Sequence, residues 1–166
     1  MSDAASAFNA LGLEPLTNRR VYVLKLDELT DLPDSFAAVG PRFVLLLLAD
    51  FSEFPGQLAA IAKKLVDAGC AYLCAWGPGC ELMHDEMDEA RLKAPQVVGD
   101  EDSVLMTTDH ADDSIEDAVE FALLRASPAG MYEHGCGATV LAVQSRRNWT
   151  GEVERTARRL LETHAI

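Results

Sequence analysis

The sequence predicts an α/β fold: a three-layer α/β/α sandwich, Rossmann-like or flavodoxin-like, with about five mostly parallel strands. Three observations predict it. The run Phe43 to Ala49 is apolar on both faces, as a central parallel strand covered by helices on both sides must be. Immediately after it the period changes, with Leu58, Ile61, Ala62 and Leu65 at i, i+3, i+4 and i+7, one stripe of a helix. The same alternation of short apolar runs and helical stripes continues to the C-terminus, which is the mark of repeated βαβ units.

The elements follow in order. Residues 1–19 read as a lead-in, with a weak helical patch over Ala4 to Leu11 ahead of Gly12, Pro15 and Asn18. Val21 to Leu26 is β-branched and aromatic enough for the first strand. Turn residues dominate from Asp27 to Pro41, with room for one short helix around Ser35 to Val39. The Phe43–Ala49 strand and the Leu58–Leu65 helix come next, and Gly69 is placed to close that helix. Ala71 to Trp76 is a third strand, broken by Gly77-Pro78-Gly79, and the helix beyond turns Met83, Met87 and Ala90 inward. Ser103 to Thr108 is a fourth strand. Ser114 then caps a helix whose inner face is Ile115, Ala118, Val119 and Ala122. A Gly-rich loop over Ser127 to Gly137 leads into the fifth strand, Ala138 to Gln144, and a last helix from near Gly151 buries Val153, Ala157, Leu160 and Leu161. With no repeat, low-complexity tract or interdomain linker, the 166 residues read as a single domain with its core over about residues 20–164.

Composition narrows the function. The chain is 49% hydrophobic and 25% charged, so it is globular, and its formal charge of −13 argues against binding nucleic acid or an anionic membrane, which need cationic side chains. The first residues, Met-Ser-Asp-Ala-Ala-Ser, have neither the basic nor the apolar part of a secretory signal, and the longest apolar run is far short of the roughly 20 residues that span a bilayer. A cytoplasmic location is therefore expected, with Cys70, Cys74, Cys80 and Cys136 as reduced thiols.

In open α/β sheets ligands bind beyond the carboxyl ends of the strands. That edge comprises Asp50 to Ser52, then Trp76 to Cys80, then Thr107 to His110, and finally Gln144 to Arg147, whereas His134 and Cys136 belong at the opposite edge. Trp76, Gly77, Gly79 and Thr108 are candidates for holding a small anion, because glycines let backbone approach a ligand and the following helix offers free N–H groups. The plainer alternative is a tight strand-to-helix turn. The segment is no Walker loop, and Leu82 stands where a dinucleotide fingerprint would need its third glycine. Cys80 at the helix start is a candidate nucleophile, its thiol expected to be acidified by the helix dipole. Asp109 and His110 form the candidate general acid–base pair. Cys80, His84 and His110 have spacing that permits a three-ligand zinc site, though no cofactor is called for; the competing reading leaves His84 on the helix surface beside Glu81 and Asp88. His164 is expected to be simply exposed.

Charge is uneven. Residues 81–120 carry 14 acidic and two basic side chains, nearly the whole net charge, on a stretch with two neighbouring helices. Such a field steers cationic partners, which makes Glu116, Asp117 and Glu120 candidates for engaging a basic protein, against the plainer reading of a solvated face. Arg146, Arg147, Arg155, Arg158 and Arg159 form a minor basic patch that offers the acidic stretch a route to homo-oligomers.

Two resemblances attach to these residues. Leu73-Cys74-Ala75-Trp76-Gly77-Pro78 with Thr107 to His110 faintly resembles the class I glutamine-amidotransferase-like superfamily, in which a strand-end cysteine meets a histidine from the following strand end; here Trp76 replaces a small residue and Asp109 is extra. The pattern from Ala75 through Cys80, Glu81, His84, Asp85, Asp88 and Glu89, followed by Met106-Thr107-Thr108-x-His110, resembles a bacterial family of small single-domain proteins of unknown function, over about residues 40–126. That resemblance implies an α/β domain and transfers no catalytic role. The reading favoured by the residues is a non-catalytic binding domain for a basic partner. A cysteine- or metal-dependent hydrolase or transferase, or an anion or nucleotide sensor, at the carboxyl edge is the alternative.

Overall fold

The computed structural model describes residues 7–93, 105–145 and 147–164. Six strands form one sheet: β1 (Phe8–Glu14), β2 (Arg19–Leu26), β3 (Arg42–Leu48), β4 (Cys70–Trp76), β5 (Met106–Asp109) and β6 (Cys136–Gln144). Their order is β1-β2-β6-β3-β4-β5; β1 pairs antiparallel with β2, and every other pairing is parallel. The helices are α1 (Leu58–Ala68), α2 (Cys80–Lys93), α3 (Ile115–Glu120), which continues as one wide π turn to Arg125, and α4 (Thr150–His164). Among the described residues no helix is long and apolar enough to cross a membrane.

The strand sequences explain their positions. Phe43 to Leu48 in β3 are all fully buried because the strand lies mid-sheet with helices over both faces. Odd positions of β3 (Phe43, Leu45, Leu47) join Leu58, Ile61, Leu65, Met83 and Met87 of α1 and α2 in one core layer. Even positions (Val44, Leu46, Leu48) join Ile115, Ala118, Val119, Val153, Ala157 and Leu161 of α3 and α4 in the other. Period-two alternation along a strand thus divides one apolar run between two cores. The chain moves outward from β3 to β5 with its helices on one face and returns from β5 to β6 with its helix on the other, the arrangement that keeps crossovers of one hand.

All five expected strands are present, and a sixth joins them. Where the sequence suggested a helical patch up to Leu11, Phe8–Glu14 is instead a strand. Its partner decides this: β2 would otherwise be an open edge, and the turn through Asn18, at φ 58° with its N–H bonded to Glu14 O at 2.8 Å, folds the segment back onto it. The expected helix at Ser35 to Val39 is also absent. A single 3-10 turn forms earlier, at Leu29–Asp31, and the linker instead inserts Leu29, Leu32, Phe36 and Val39 into the α1/α2 core. The ring of Phe36 packs edge-on against Phe43 with centroids 4.3 Å apart. Burial of those four side chains, each worth about 2 kcal/mol, outweighs the weak helical bias of the segment. Of the expected fourth strand, Ser103 lies outside the described residues, and Met106–Asp109 is a strand. Gly69 closes α1 as expected, at φ 103°.

Candidate functional site

The loop after β3 leaves towards α1 and the loop after β6 towards α4, on opposite faces. The crevice between these adjacent strand ends is therefore the topological switch point. The chain's own side chains close it. Gln144 Oε1 accepts from the Asp50 backbone N–H at 2.9 Å, and Arg147 Nη2 pairs with Asp50 Oδ2 at 2.8 Å and with Glu53. Trp76 and Trp149 meet edge to face above, with centroids 5.0 Å apart. Arg146 lies outside the described residues.

The Gly77-Pro78-Gly79 turn is packed against chain. A Cβ on Gly77, at φ 121°, would lie 2.0 Å from the Ala49 carbonyl oxygen, and one on Gly79 3.0 Å from the Ser52 nitrogen. Phe51 N–H donates to Pro78 O at 2.8 Å, while the Cys80 and Leu82 amides at the start of α2 bond back to Gly77 O and Gly79 O. The glycines admit the segment after β3, which packs directly against the turn. The Trp76 indole N–H is likewise engaged, donating to Asp113 O at 2.8 Å.

Cys80 is fully buried, and its pKa moves opposite to expectation. Burial pushes the thiol up, Glu81 and Asp109 add to the rise, and the His110 amide beside the sulfur only partly opposes it. The helix end acidifies an exposed thiol; here desolvation of the thiolate is the larger effect. Cys74 is pushed up to about 12 by burial, and Cys70 further.

His110 is buried and held at both ring nitrogens: Nδ1 lies 2.7 Å from Asp113 Oδ2 and Nε2 lies 2.9 Å from Thr108 Oγ1. Its carboxylate partner is thus Asp113, four positions beyond the exposed Asp109 that the sequence had paired with it. Thr108 also lies near the Tyr72 hydroxyl and the Cys74 thiol, and the His110 ring packs against Phe121 with centroids 4.7 Å apart. His84 faces Asp85 and Asp88 on the outside of α2, at 3.5 and 3.7 Å. The structure therefore does not gather Cys80, His84 and His110 around one point, and among the described residues no group of three or more His, Cys, Asp or Glu side chains could hold a metal ion.

The acidic stretch is divided by the sheet. α2 packs beside α1 on one face, and α3 beside α4 on the other, so its two helices do not share a layer. The basic patch is partly spent within the chain: Arg159 pairs with Glu116 at 2.6 Å and Arg147 with Asp50 and Glu53. Around α3, Asp113, Asp117 and Glu120 line a cavity of about 290 Å³ together with Phe121 and Arg125. Arg125 reaches Glu120 at 3.7 Å. Glu120 and Asp117 were legible as charge, but the ring of Phe121 beside them was not, because the inner face read from the sequence comprised Ile115, Ala118, Val119 and Ala122 and left Phe121 unassigned. Phe121 opens the π turn and is half-buried, its ring packed against those of Tyr72 and His110.

His164, expected to be exposed, is partly buried with Nδ1 at 3.1 Å from Oε2 of the fully buried Glu14. Nothing in the sequence marks a pair 150 residues apart.

No curated protein and no solved structure matches the chain. Residues 21–159 match one family model, and that span runs from β2 to near the end of α4, taking in the switch-point crevice, the His110 network and the α3 cavity. The chain belongs to the family described as a domain of unknown function, DUF7684.

Proposed function

We propose that this domain binds a basic protein segment on the acidic surface around α3, with a lysine or arginine side chain of the partner entering the cavity against Phe121. One observation carries this reading: the cavity of about 290 Å³ combines the carboxylates of Asp113, Asp117 and Glu120 with an aromatic ring. A cation gains from carboxylates on its flanks and a ring at its floor. Arg125, which also lines the cavity, is an intramolecular example of a guanidinium next to Glu120. The surrounding excess of acid over base raises the rate at which cationic partners arrive. Binding also asks nothing of the cysteines, whose pKa values are raised by burial.

The test is fluorescence anisotropy with a labelled lysine- and arginine-rich peptide. Two triple variants of equal charge change are compared: E116K/D117K/E120K on α3, and E81K/E86K/E89K on α2. Binding lost in the first and retained in the second supports the reading; equal weakening in both, or no change in the first, overturns it.

One further observation favours a second reading, a small hydrolase. Hydroxyl, imidazole and carboxylate stand in the order Thr108, His110, Asp113 at 2.9 and 2.7 Å, the arrangement of an activated nucleophile, its base and the group orienting the base. Turnover of activated esters that disappears in Thr108→Val and in His110→Gln, both shown to be folded by circular dichroism, would favour this reading over the first.

A further inference from the structure

At the opposite, amino edge of the sheet the loops before β2 and β6 enclose a larger cavity, about 560 Å³, lined by Thr17, Asn18, Arg19, Ser127, Cys136 and Gly137 among others. Arg19 is 95% buried, with 5% of its surface exposed, and this is unusual for a cation without a counter-charge. Its Nε donates to Thr139 Oγ1 at 2.8 Å, Nη1 to Ala126 O at 2.8 Å, and Nη2 to Ala122 O and Leu123 O at 3.1 and 3.3 Å. All four acceptors are neutral. Among the described residues no carboxylate reaches Arg19 within ion-pair distance, and Glu14, the nearest buried acid, is engaged by His164 and the Leu16 amide. A guanidinium has five N–H donors, so one N–H of Nη1 is left over. Thr17 Oγ1, on the same cavity wall, is also buried without a hydrogen-bond partner.

We infer that this cavity is a binding site for a small oxyanion, the carboxylate or phosphate of a metabolite-sized molecule. Among the described residues Arg19 has no ion-paired carboxylate, only the more distant field of Glu14, one of its donors is unused, and nothing accepts from the Thr17 hydroxyl. The amide of Asn18 and the hydroxyl of Ser127 extend the polar wall. An anion there neutralises the buried guanidinium, which the carbonyls at the end of the α3 turn solvate without neutralising. Glu133 also lines the cavity and opposes an anion; it is exposed, so solvent screens it, and its removal strengthens binding. The site touches the far end of the turn that continues α3, at Leu124, but none of Asp113, Asp117 and Glu120 lines it, and it does not depend on the binding of a basic partner.

The experiment is a titration of the ¹⁵N-labelled full chain with inorganic phosphate and, separately, with citrate, followed by amide shifts. Saturable shifts at Thr17 to Arg19 and Gly135 to Gly137 are expected with at least one of the two, and the one that saturates identifies the anion type. Gly137→Phe plugs the cavity: a Cβ at Gly137 meets nothing within 4 Å, so the fold accommodates the side chain while the ring fills the space. That variant is expected to lose the saturable shifts. Thr17→Val is expected to bind about tenfold more weakly, the effect of removing one hydrogen bond to a charged group, and Glu133→Gln to bind more tightly. Absence of saturation with both anions, or saturation that Gly137→Phe leaves unchanged, overturns the assignment.

Discussion

His110 Nδ1 sits 2.7 Å from Asp113 Oδ2, while Asp109, its neighbour in sequence, points to solvent at the edge of β5. Successive residues of an extended strand end face opposite ways, so Asp109 cannot share a side with His110. The turn between β5 and α3 brings Asp113 round instead, with its amide bonded to His110 O at 3.2 Å and its carbonyl accepting from Trp76. Ring and backbone of His110, with Asp113, thereby tie together the ends of β4 and β5 and the start of α3, the His110 amide donating to Ala75 O at 2.9 Å.

Replacing His110 by Ala is expected to cost about 2–4 kcal/mol, because it opens a cavity against Phe121 and leaves the Thr108 hydroxyl without one of its partners. Asp109→Asn is expected to stay within about 0.5 kcal/mol of the parent. Urea unfolding of the two variants checks the assignment of Asp113 over Asp109.

The glycines of the β4–α2 turn divide sharply. Gly77→Ala forces a Cβ to 2.0 Å from the Ala49 oxygen at a φ of 121°, and about 3 kcal/mol or more of stability should be lost. Gly79→Ala, at 3.0 Å and φ 76°, is expected to lose about 1–2 kcal/mol. Gly56→Ala, where a Cβ meets nothing within 4 Å, is the control and should be neutral within about 0.5 kcal/mol. Thermal denaturation orders the three.

Burial raises the thiol pKa values, which fixes the sign of a pH effect. Below the ordinary thiol value of 9.0 both folded and unfolded chains hold the Cys74 proton, and its contribution to stability is intact. Above that pH the unfolded chain releases the proton while the folded chain keeps it up to about 12, so stability falls as pH rises through this window, by about 1.4 kcal/mol per pH unit per thiol. Denaturant midpoints from pH 8 to 10.5 should decline less steeply in Cys74→Ala. With a thiol reagent at pH 8, the part-exposed Cys136 is expected to label first, and Cys70, Cys74 and Cys80 only on unfolding.

Arg19 supports the end of the α3 turn through three carbonyls and Thr139 through a fourth hydrogen bond. Arg19→Met is expected to cost on the order of 3 kcal/mol, since acceptors that it satisfied remain buried. Arg19→Lys should recover little of this loss, because a single ammonium cannot reproduce the planar fork. Chemical denaturation of both variants reads the difference.

By itself the sequence determined the α/β class, the five parallel strands, the glycine that ends α1 and the inward faces of the helices. Each of these is written locally, in a period of two or 3.6 residues or in a residue type that only one backbone conformation suits. Tertiary structure decided the rest. Phe8–Glu14 is a strand because β2 presents an edge to it; Phe36 is core because Phe43 waits beneath it; Cys80 is buried with a raised pKa because Ala49 to Ser52 and the His110 loop close over the α2 start. The acidic segment was legible as charge, but its division between two faces followed from strand order, which no local pattern encodes. Arg19 with Thr139, and Glu14 with His164, join residues more than a hundred positions apart, and long-range partners of that kind exist only once the sheet has brought them together.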